Sequence, residues 1–251
     1  MKMPKIATII CAAVVLALPC VARAVPLGTV DILHIDYGAF DPIQVWGGGY
    51  DGSFVYGGVY TLSKTASSGQ GDIWPDGELG SFCMELNELA PHTRLTYDVV
   101  MPEEAPVPID LLGGGMGAAK AEYLRELWGR FFNPDWLGNG PFTSQQCTDA
   151  EAFAAAVWEI VLEDLPASPL DWDVTVDATA GELGFSCAAA DTATANSWLY
   201  ALNGNGPKAD LRAFVHDGQQ DFLVEVPEPA TIVMLGIGGA LSLVRRKRAA
   251  V

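Results

Sequence analysis

The sequence predicts an α+β fold in which an antiparallel, strand-rich N-terminal part precedes about three helices with interleaved strands. Two observations support this prediction. From residue 25 to about residue 100, apolar residues alternate with a period near two and are interrupted by glycines, as in strands and hairpins. From residue 118 onwards the period becomes 3.6, which is typical of amphipathic helices. Strands followed by helices favour an α+β protein.

The strand-rich part contains several runs of β-branched and aromatic residues. Residues 29–36, 45–62 and 95–100 are the predicted strands. Within the second run, alternation on both sides of Gly57-Gly58 predicts a hairpin with its turn at these glycines. A stretch rich in proline and glycine, residues 101–117, predicts a loop or hinge.

Three helices and two further strands are predicted after this hinge. Residues 118–132 place their large apolar side chains on one face. Residues 148–151, Thr-Asp-Ala-Glu, form a capping box that predicts the start of the second helix. The third helix is predicted at residues 191–202. Strands are predicted at residues 171–177 and 221–226. We interpret residues 25–226 as one domain, which the stretch at residues 101–117 could divide.

The charge of this domain restricts its partners. Without the first 24 residues and the tail after Pro229, 7 Lys and Arg remain against 31 Asp and Glu, a formal net charge of −24. Such a surface repels nucleic acid and anionic lipid. It suits a hydrated extracellular setting, or one rich in divalent cations such as Ca²⁺. With 50% hydrophobic residues, the chain is too apolar for a disordered acidic tail.

Residues 1–24 have the features of a cleavable signal peptide. A basic start precedes an apolar run at residues 6–18, and the small residues Ala22 and Ala24 flank Arg23. Signal peptidase cuts after such a small-x-small pattern. Because the apolar run is short for a membrane span, we expect cleavage after Ala24 and export of the domain.

Three cysteines remain after removal of the signal peptide: Cys83, Cys147 and Cys187. Export permits disulfides, and an odd number leaves one cysteine over. We expect one disulfide and one buried thiol. Cys147 and Cys187 are a possible pair, although the sequence leaves the pairing open.

The C-terminal tail, residues 227–251, combines three features in order. Pro227-Glu228-Pro229 holds the backbone extended, and the uncharged residues 230–244 would form a helix of about 22 Å. This length is below the roughly 20 residues of a comfortable span. A basic cluster follows and would stay cytoplasmic: Arg245, Arg246, Lys247 and Arg248. Without processing, the tail would be a single weak anchor.

This order closely resembles the PEP-CTERM sorting signal. The resemblance implies that an exosortase in the inner membrane of a Gram-negative bacterium recognises the Pro-Glu-Pro tripeptide and removes the tail. The protein would be inserted transiently in the inner membrane and would then reach the cell surface or the extracellular space. Its expected partners during export are signal peptidase and exosortase.

Two segments of the body resemble the thioester domains of bacterial surface adhesins. In that family a cysteine after an aromatic residue forms a thioester with a glutamine that precedes a small-aliphatic-Trp triplet. Cys83 matches the cysteine, and residues 156–158, Ala-Val-Trp, match the triplet. The chain departs from the family at the glutamine position, which is Ala154. Gln145 and Gln146 lie nearby but out of register.

Other chemistry has weaker support in the sequence. The three histidines lack metal-ligand spacing, so no zinc site is expected. Two carboxylates, Glu85 and Glu88, are close enough in sequence to suggest a glycosidase pair. Oxygen ligands for Ca²⁺ are available in two acidic stretches without the twelve-residue calcium loop: Asp171 with Asp173, and Asp36 with Asp41.

The sequence as a whole therefore predicts an exported, exosortase-processed surface or matrix protein without enzymatic activity. Its body would bind or support exopolysaccharide in a biofilm. The first alternative is a covalent adhesin that uses a Cys83 thioester, and the second is a secreted polysaccharide hydrolase.

Overall fold

The computed structural model describes residues 25–47, 50–106, 116–176, 184–188 and 191–227. The predicted signal peptide with its cleavage site at Ala22 and Ala24 lies outside the described residues. So do Glu228, Pro229 and the remainder of the tail, and most of the predicted hinge.

The described strands form one antiparallel seven-stranded sheet, and six of them close into a barrel. Around the barrel the strands pair in the order β1-β2-β3-β7-β6-β4 and back to β1, while the short β5 pairs with the distal part of β1. This sheet and the helices below confirm the antiparallel α+β prediction. The strands are β1 (Gly28–Gly47), β2 (Tyr50–Gly69), β3 (Gly77–Cys83), β4 (Leu95–Val100), β5 (Ser186–Ala188), β6 (Leu211–His216) and β7 (Gln219–Glu225).

β1 and β2 form one long hairpin whose connection lies at residues 48–49, so the predicted turn at Gly57-Gly58 is wrong. Both glycines lie inside β2, where they pair with Asp41 and Phe40 of β1. A Cβ on Gly58 would lie 2.4 Å from the Ala39 carbonyl oxygen, and its φ is +144°. The glycines therefore permit a close backbone approach within the sheet. In the sequence, glycines in this role look the same as glycines in a turn.

The register assigns the side chains to two faces of the barrel wall, because directly paired residues point to the same side. Phe82, on the outer face, packs against the helices, with ring centroids 4.7 Å from Phe153 and 5.5 Å from Trp128. The neighbouring residues of β3, Ser81 and Cys83, therefore face the interior. Interior residues that pair around the barrel include Tyr60, Cys83, Phe222, Phe214, Val99, Tyr97, Val30, Ile32, His34 and Leu62.

Three helices are described: α1 (Gly117–Phe131), α2 (Ser144–Leu162) and α3 (Thr192–Ala201). The first and third agree with the sequence prediction within one residue at each end. The second begins one turn before the predicted capping box. Thr143 is its N-cap: its hydroxyl oxygen accepts a hydrogen bond from Gln146 N at 3.2 Å, and Gln146 Oε1 accepts one from Thr143 N at 2.9 Å. Thr148 instead lies within the helix.

The predicted strand at residues 171–177 is wrong over its described part. Asp173 Oδ1 accepts hydrogen bonds from the amide and hydroxyl of Thr175, which closes a turn. The alternation of apolar and polar residues that suggested a strand arises because Trp172 and Val174 are both buried. Predictions for β4 and the end of β7 are confirmed, whereas the strands β3, β5 and β6 were not predicted. None of the described helices has the length and apolar character needed to cross a membrane.

Candidate functional site

One end of the barrel interior is polar. Every one of the six barrel strands contributes a polar side chain at this end, which we call the polar end. The strands run alternately up and down, so the residues come from distant parts of the sequence. They are His34 of β1, Tyr60 of β2, Cys83 of β3, Tyr97 of β4, His216 of β6 and Gln220 of β7.

Aromatic packing connects these side chains through Phe222 in the centre of the barrel. Its ring centroid lies 5.7 Å from that of Tyr60 and 6.1 Å from that of Tyr97. Each tyrosine also contacts a histidine. The ring centroid of His34 lies 5.2 Å from that of Tyr60, and the ring centroid of His216 lies 5.0 Å from that of Tyr97. The histidine and tyrosine side chains of the polar end are therefore packed together through their rings.

Four buried polar atoms at this end have no hydrogen-bond partner among the described residues. They are His34 Nε2, Tyr97 Oη, His216 Nδ1 and Gln220 Nε2. Tyr97 is 0% and Gln220 3% exposed. An unpaired buried polar group costs about 1–3 kcal/mol, so such groups in native proteins are usually satisfied by ordered water or a ligand, or belong to a functional site. Their concentration on four strands of one end makes this the candidate functional site.

Cys83 lies at the rim of this site, where α2 meets the barrel. Its thiol donates a hydrogen bond to the Glu85 carbonyl oxygen. Burial, together with the Glu85 carboxyl, raises the pKa of the Cys83 thiol far above its usual value. Trp158 Nε1 and Gln220 Nε2 lie beside the sulfur and partly oppose this rise, although neither atom reaches hydrogen-bond geometry.

The structure thus brings together the two segments that resemble a thioester domain, the end of β3 with Cys83 and the part of α2 with residues 156–158. Phe82 contacts Phe153, and Cys83 lies beside Trp158 of the Ala-Val-Trp triplet. Ala154 cannot supply a carboxamide. Gln146 is committed to the Thr143 cap, and Gln145 Nε2 donates to Asp149 at 2.8 Å.

Gln220 is the residue that sequence reasoning missed. It lies 137 positions after Cys83 and belongs to no local motif, but its carboxamide lies beside the sulfur because Phe222, two residues on, pairs with Cys83. The signal available in the sequence was the Gln219-Gln220 pair that precedes the apolar run of the final strand. Only the pairing of β3 with β7 shows that Gln220 lies close to Cys83.

An acidic cluster borders the polar end and consists of the buried Glu85 and Asp221 with the half-buried Glu88. Glu85 Oε1 accepts a hydrogen bond from Asp221 N at 2.9 Å, and Asp221 Oδ1 accepts one from His216 N at 2.9 Å. Burial, with the Glu85 charge second, raises the pKa of Asp221 to about 9. Burial also raises the pKa of Glu85, which shares a side-chain hydrogen bond with Glu88.

The other candidate residues are placed elsewhere. Cys83, Cys147 and Cys187 are all free thiols, so the possible Cys147–Cys187 disulfide is not formed. Cys187 is buried in β5, and Cys147 lies half-buried near the start of α2. Among the described residues, no group of three or more His, Cys, Asp or Glu is arranged to hold a metal ion. Asp173, for example, is occupied by Thr175 and by Asn196 Nδ2 at 2.7 Å.

The sorting tail leaves the barrel at the end opposite the polar end. β7 starts at the polar end with Gln219 and finishes with Glu225, which two tryptophans hold: Trp74 Nε1 donates to its carbonyl oxygen at 2.8 Å, and Trp128 Nε1 to its carboxylate at 3.0 Å. Val226 N donates to the Asp210 carbonyl oxygen at 2.8 Å. The last described residue, Pro227, follows directly.

Residues 225–248 match the family model of the PEP-CTERM protein-sorting motif. The chain carries a PEP-CTERM sorting motif. It is therefore an exosortase substrate that is exported to the envelope or surface of a Gram-negative cell. The motif covers Pro227, Glu228 and Pro229 and the basic cluster from Arg245 to Arg248. Neither a curated protein nor a solved structure matches the chain.

Proposed function

We propose that the mature protein is a non-catalytic binding or structural module of the cell surface or matrix, held in exopolysaccharide after exosortase processing. The observation that carries this proposal is the position of the sorting motif, which begins on the last residue of β7. The sorting motif therefore follows the last strand of the barrel directly.

The direction of β7 also orients the barrel. The strand spans about 20 Å from Gln219 to Glu225 at the usual rise per residue. While the tail is held at the membrane, the polar end is consequently the end directed away from the attachment point. A module with this orientation presents its candidate site outward.

The state of the candidate groups supports a non-catalytic role. The thiolate is the reactive form of cysteine, and the raised pKa of Cys83 keeps it a thiol. A glycosidase needs two carboxyl groups that flank an accessible sugar, whereas Glu85 is only 7% exposed. The net charge of −24 instead favours residence in a hydrated matrix in which divalent cations bridge acidic groups.

The sorting step is tested by replacing Pro227, Glu228 and Pro229 with alanine in the full chain, expressed in an exosortase-containing host. We expect a membrane-retained product that keeps the tail mass. A matched control replaces an exposed acid and an exposed proline of the body, Glu104→Ala with Pro106→Ala, and should be processed normally. Unchanged release and final mass of the triple variant would show that the tail is only an anchor.

The matrix role is tested by sedimentation of the mature protein with the host's exopolysaccharide. We expect the protein to sediment with the polysaccharide when Ca²⁺ is present and to stay in solution when a chelator is added. Absence of the protein from the pellet in both conditions contradicts the matrix role. Release of reducing sugar ends that disappears in E85Q or E88Q would instead support a hydrolase.

A second candidate function, covalent adhesion, is favoured by the position of Gln220. Attack of the Cys83 sulfur on the Gln220 side-chain carbonyl carbon would form an S–C bond and break the C–N bond. The amide nitrogen would leave as ammonia with the thiol proton. The resulting thioester is an electrophile that an amine or hydroxyl of a target surface can open.

Intact mass measurement distinguishes this candidate from the first. A thioester lowers the mass by one ammonia and takes up methylamine, and both effects should vanish in C83A and Q220A. Gln219→Ala, at the neighbouring and less buried position, is the matched control and should retain them. A chain with the full mass and a titratable Cys83 thiol rules out the thioester.

A further inference from the structure

The segment that connects β3 to β4 covers the polar end. Residues 84–91, which we call the lid, have no regular secondary structure. Their inner side is buried, with Glu85 and Leu86 facing the protein, whereas Leu89 is 71% exposed. Cys83 and Gln220 lie beneath this segment, because both are contacted by lid backbone atoms.

Four hydrogen bonds fasten the lid to two strands. Met84 N donates to the Asp221 carbonyl oxygen at 3.0 Å, and Gln220 N donates to the Leu89 carbonyl oxygen at 3.1 Å. Asp221 N donates to Glu85 Oε1 at 2.9 Å. At the far end, His34 N donates to the Pro91 carbonyl oxygen at 3.2 Å. The lid therefore spans the barrel from β7 to β1.

Two residues of the acidic cluster, Glu85 and Asp221, take part in the hydrogen bonds that hold the lid, and Glu88 is the third member of this cluster. The titratable groups that face it are Cys83 from β3 and Tyr97 from β4, while β6 contributes the His216 amide. None of the ion pairs among the described residues includes a carboxyl group of the cluster. Glu85 and Asp221 are buried and Glu88 is half-buried beside them. Carboxylates without a basic partner repel one another strongly in such a site, so the closed arrangement requires bound protons.

We propose that residues 84–91 form a proton-held lid: with protons on Glu85 and Asp221 the lid closes the polar end, and loss of those protons opens it and exposes Cys83 and Gln220. The lid controls access to the polar end whether the barrel binds a ligand or forms a thioester. The raised pKa values of both carboxyl groups agree with a lid that is closed at neutral pH and opens under alkaline conditions.

Amide hydrogen exchange on the full chain tests this proposal, because it does not depend on the chemical state of Cys83. After correction for the intrinsic pH dependence of exchange, the amides of Met84, Gln220 and Asp221 should lose roughly tenfold in protection per pH unit above about pH 9. Amides in α2 should keep their protection, which separates lid opening from global unfolding. Constant protection of the lid amides across this range would overturn the proposal.

Neutral variants provide the second arm. Glu85→Gln and Asp221→Asn imitate the protonated side chains, so each should shift lid opening to higher pH or abolish it. Glu78→Gln removes an exposed carboxyl at the far end of the same strand, β3, and should behave as the wild type. Lid opening in E85Q and D221N at the wild-type pH would contradict the proposal. If either variant does not fold, the wild-type series still decides.

Discussion

Replacing Glu126 by glutamine is expected to destabilise the domain strongly. The Glu126 side chain is 0% exposed and binds the loop that follows α3. Its oxygens accept hydrogen bonds from Asn203 N at 3.2 and 3.3 Å, Gly204 N at 2.6 Å and Gly206 N at 3.1 Å. Arg130 Nε donates a further one at 2.8 Å. Glutamine keeps one acceptor oxygen but turns an NH₂ group towards the remaining donors.

The size of this effect follows from the burial of the donors. A hydrogen bond to a charged group contributes about 1.5–3 kcal/mol, and breaking a buried charge pair costs about 3–5 kcal/mol. Because the bonds share one carboxylate, their contributions do not add, and we expect a loss of roughly 3–5 kcal/mol in the free energy of unfolding. In a domain of this size that corresponds to a fall in Tm of roughly 10 °C.

Urea and thermal unfolding of E126Q and of the control E122Q measure this loss. Glu122 lies one turn earlier on α1, is 45% exposed and pairs with Arg125 and Lys208. Exposed pairs contribute at most about 1 kcal/mol, so E122Q should remain close to the wild type. Equal midpoints for the two variants would refute the assignment of Glu126 as the anchor of the loop.

The pH dependence provides a second measurement on the same variant. Burial alone would raise the pKa of Glu126, but the amides of the 203–206 loop together with Arg130 outweigh it, and the pKa is lowered. A carboxyl with a lowered folded pKa contributes stability above its unfolded pKa and loses it as the pH falls through the folded value. The acid-side loss of stability should therefore be smaller in E126Q.

Three further predictions concern the barrel. The raised pKa of Asp221, about 9 against an ordinary 3.8, should make stability fall as the pH rises between these values, and D221N should flatten that fall in urea titrations while the exposed D217N does not. Gly58→Ala should lower the urea midpoint far more than Gly77→Ala, because both have positive φ but only Gly58 is crowded, with Ala39 O 2.4 Å from its Cβ position. Phe153 of α2 packs against Phe82 of the barrel wall, with ring centroids 4.7 Å apart. Phe153→Ala should therefore cost about 3–5 kcal/mol in the same assay, and a loss under about 1 kcal/mol would contradict this role in packing.

Local patterns predicted the elements whose formation depends on near neighbours. α1 and α3 were located by apolar periodicity, and β4 by a short β-branched run. The start of α2 was misplaced because two capping signals lie a turn apart, and the hydrogen bonds of Thr143 decide between them. Gly57 and Gly58 were misassigned because close backbone approach and a tight turn select the same residue type.

The candidate site was only partly accessible to this reasoning. The thioester-domain resemblance singled out Cys83 and the Ala-Val-Trp triplet, and in the structure Cys83 lies beside Trp158. Gln220 and the buried Asp221 could not be recognised, because their neighbours are distant in sequence. Glu85 was noted as half of a glycosidase pair, but its burial and its bond to Asp221 N were not visible in the sequence.

The sequence by itself determined where the protein goes and which class of fold it adopts. A sorting motif is read as a short contiguous peptide, and secondary structure depends largely on residues a few positions apart. The tertiary structure decided which side chains meet at the polar end, where each of the six barrel strands contributes a polar side chain. It also raised the pKa values of Glu85 and Asp221, because a pKa depends on burial and on neighbouring charges, which exist only once the barrel has closed.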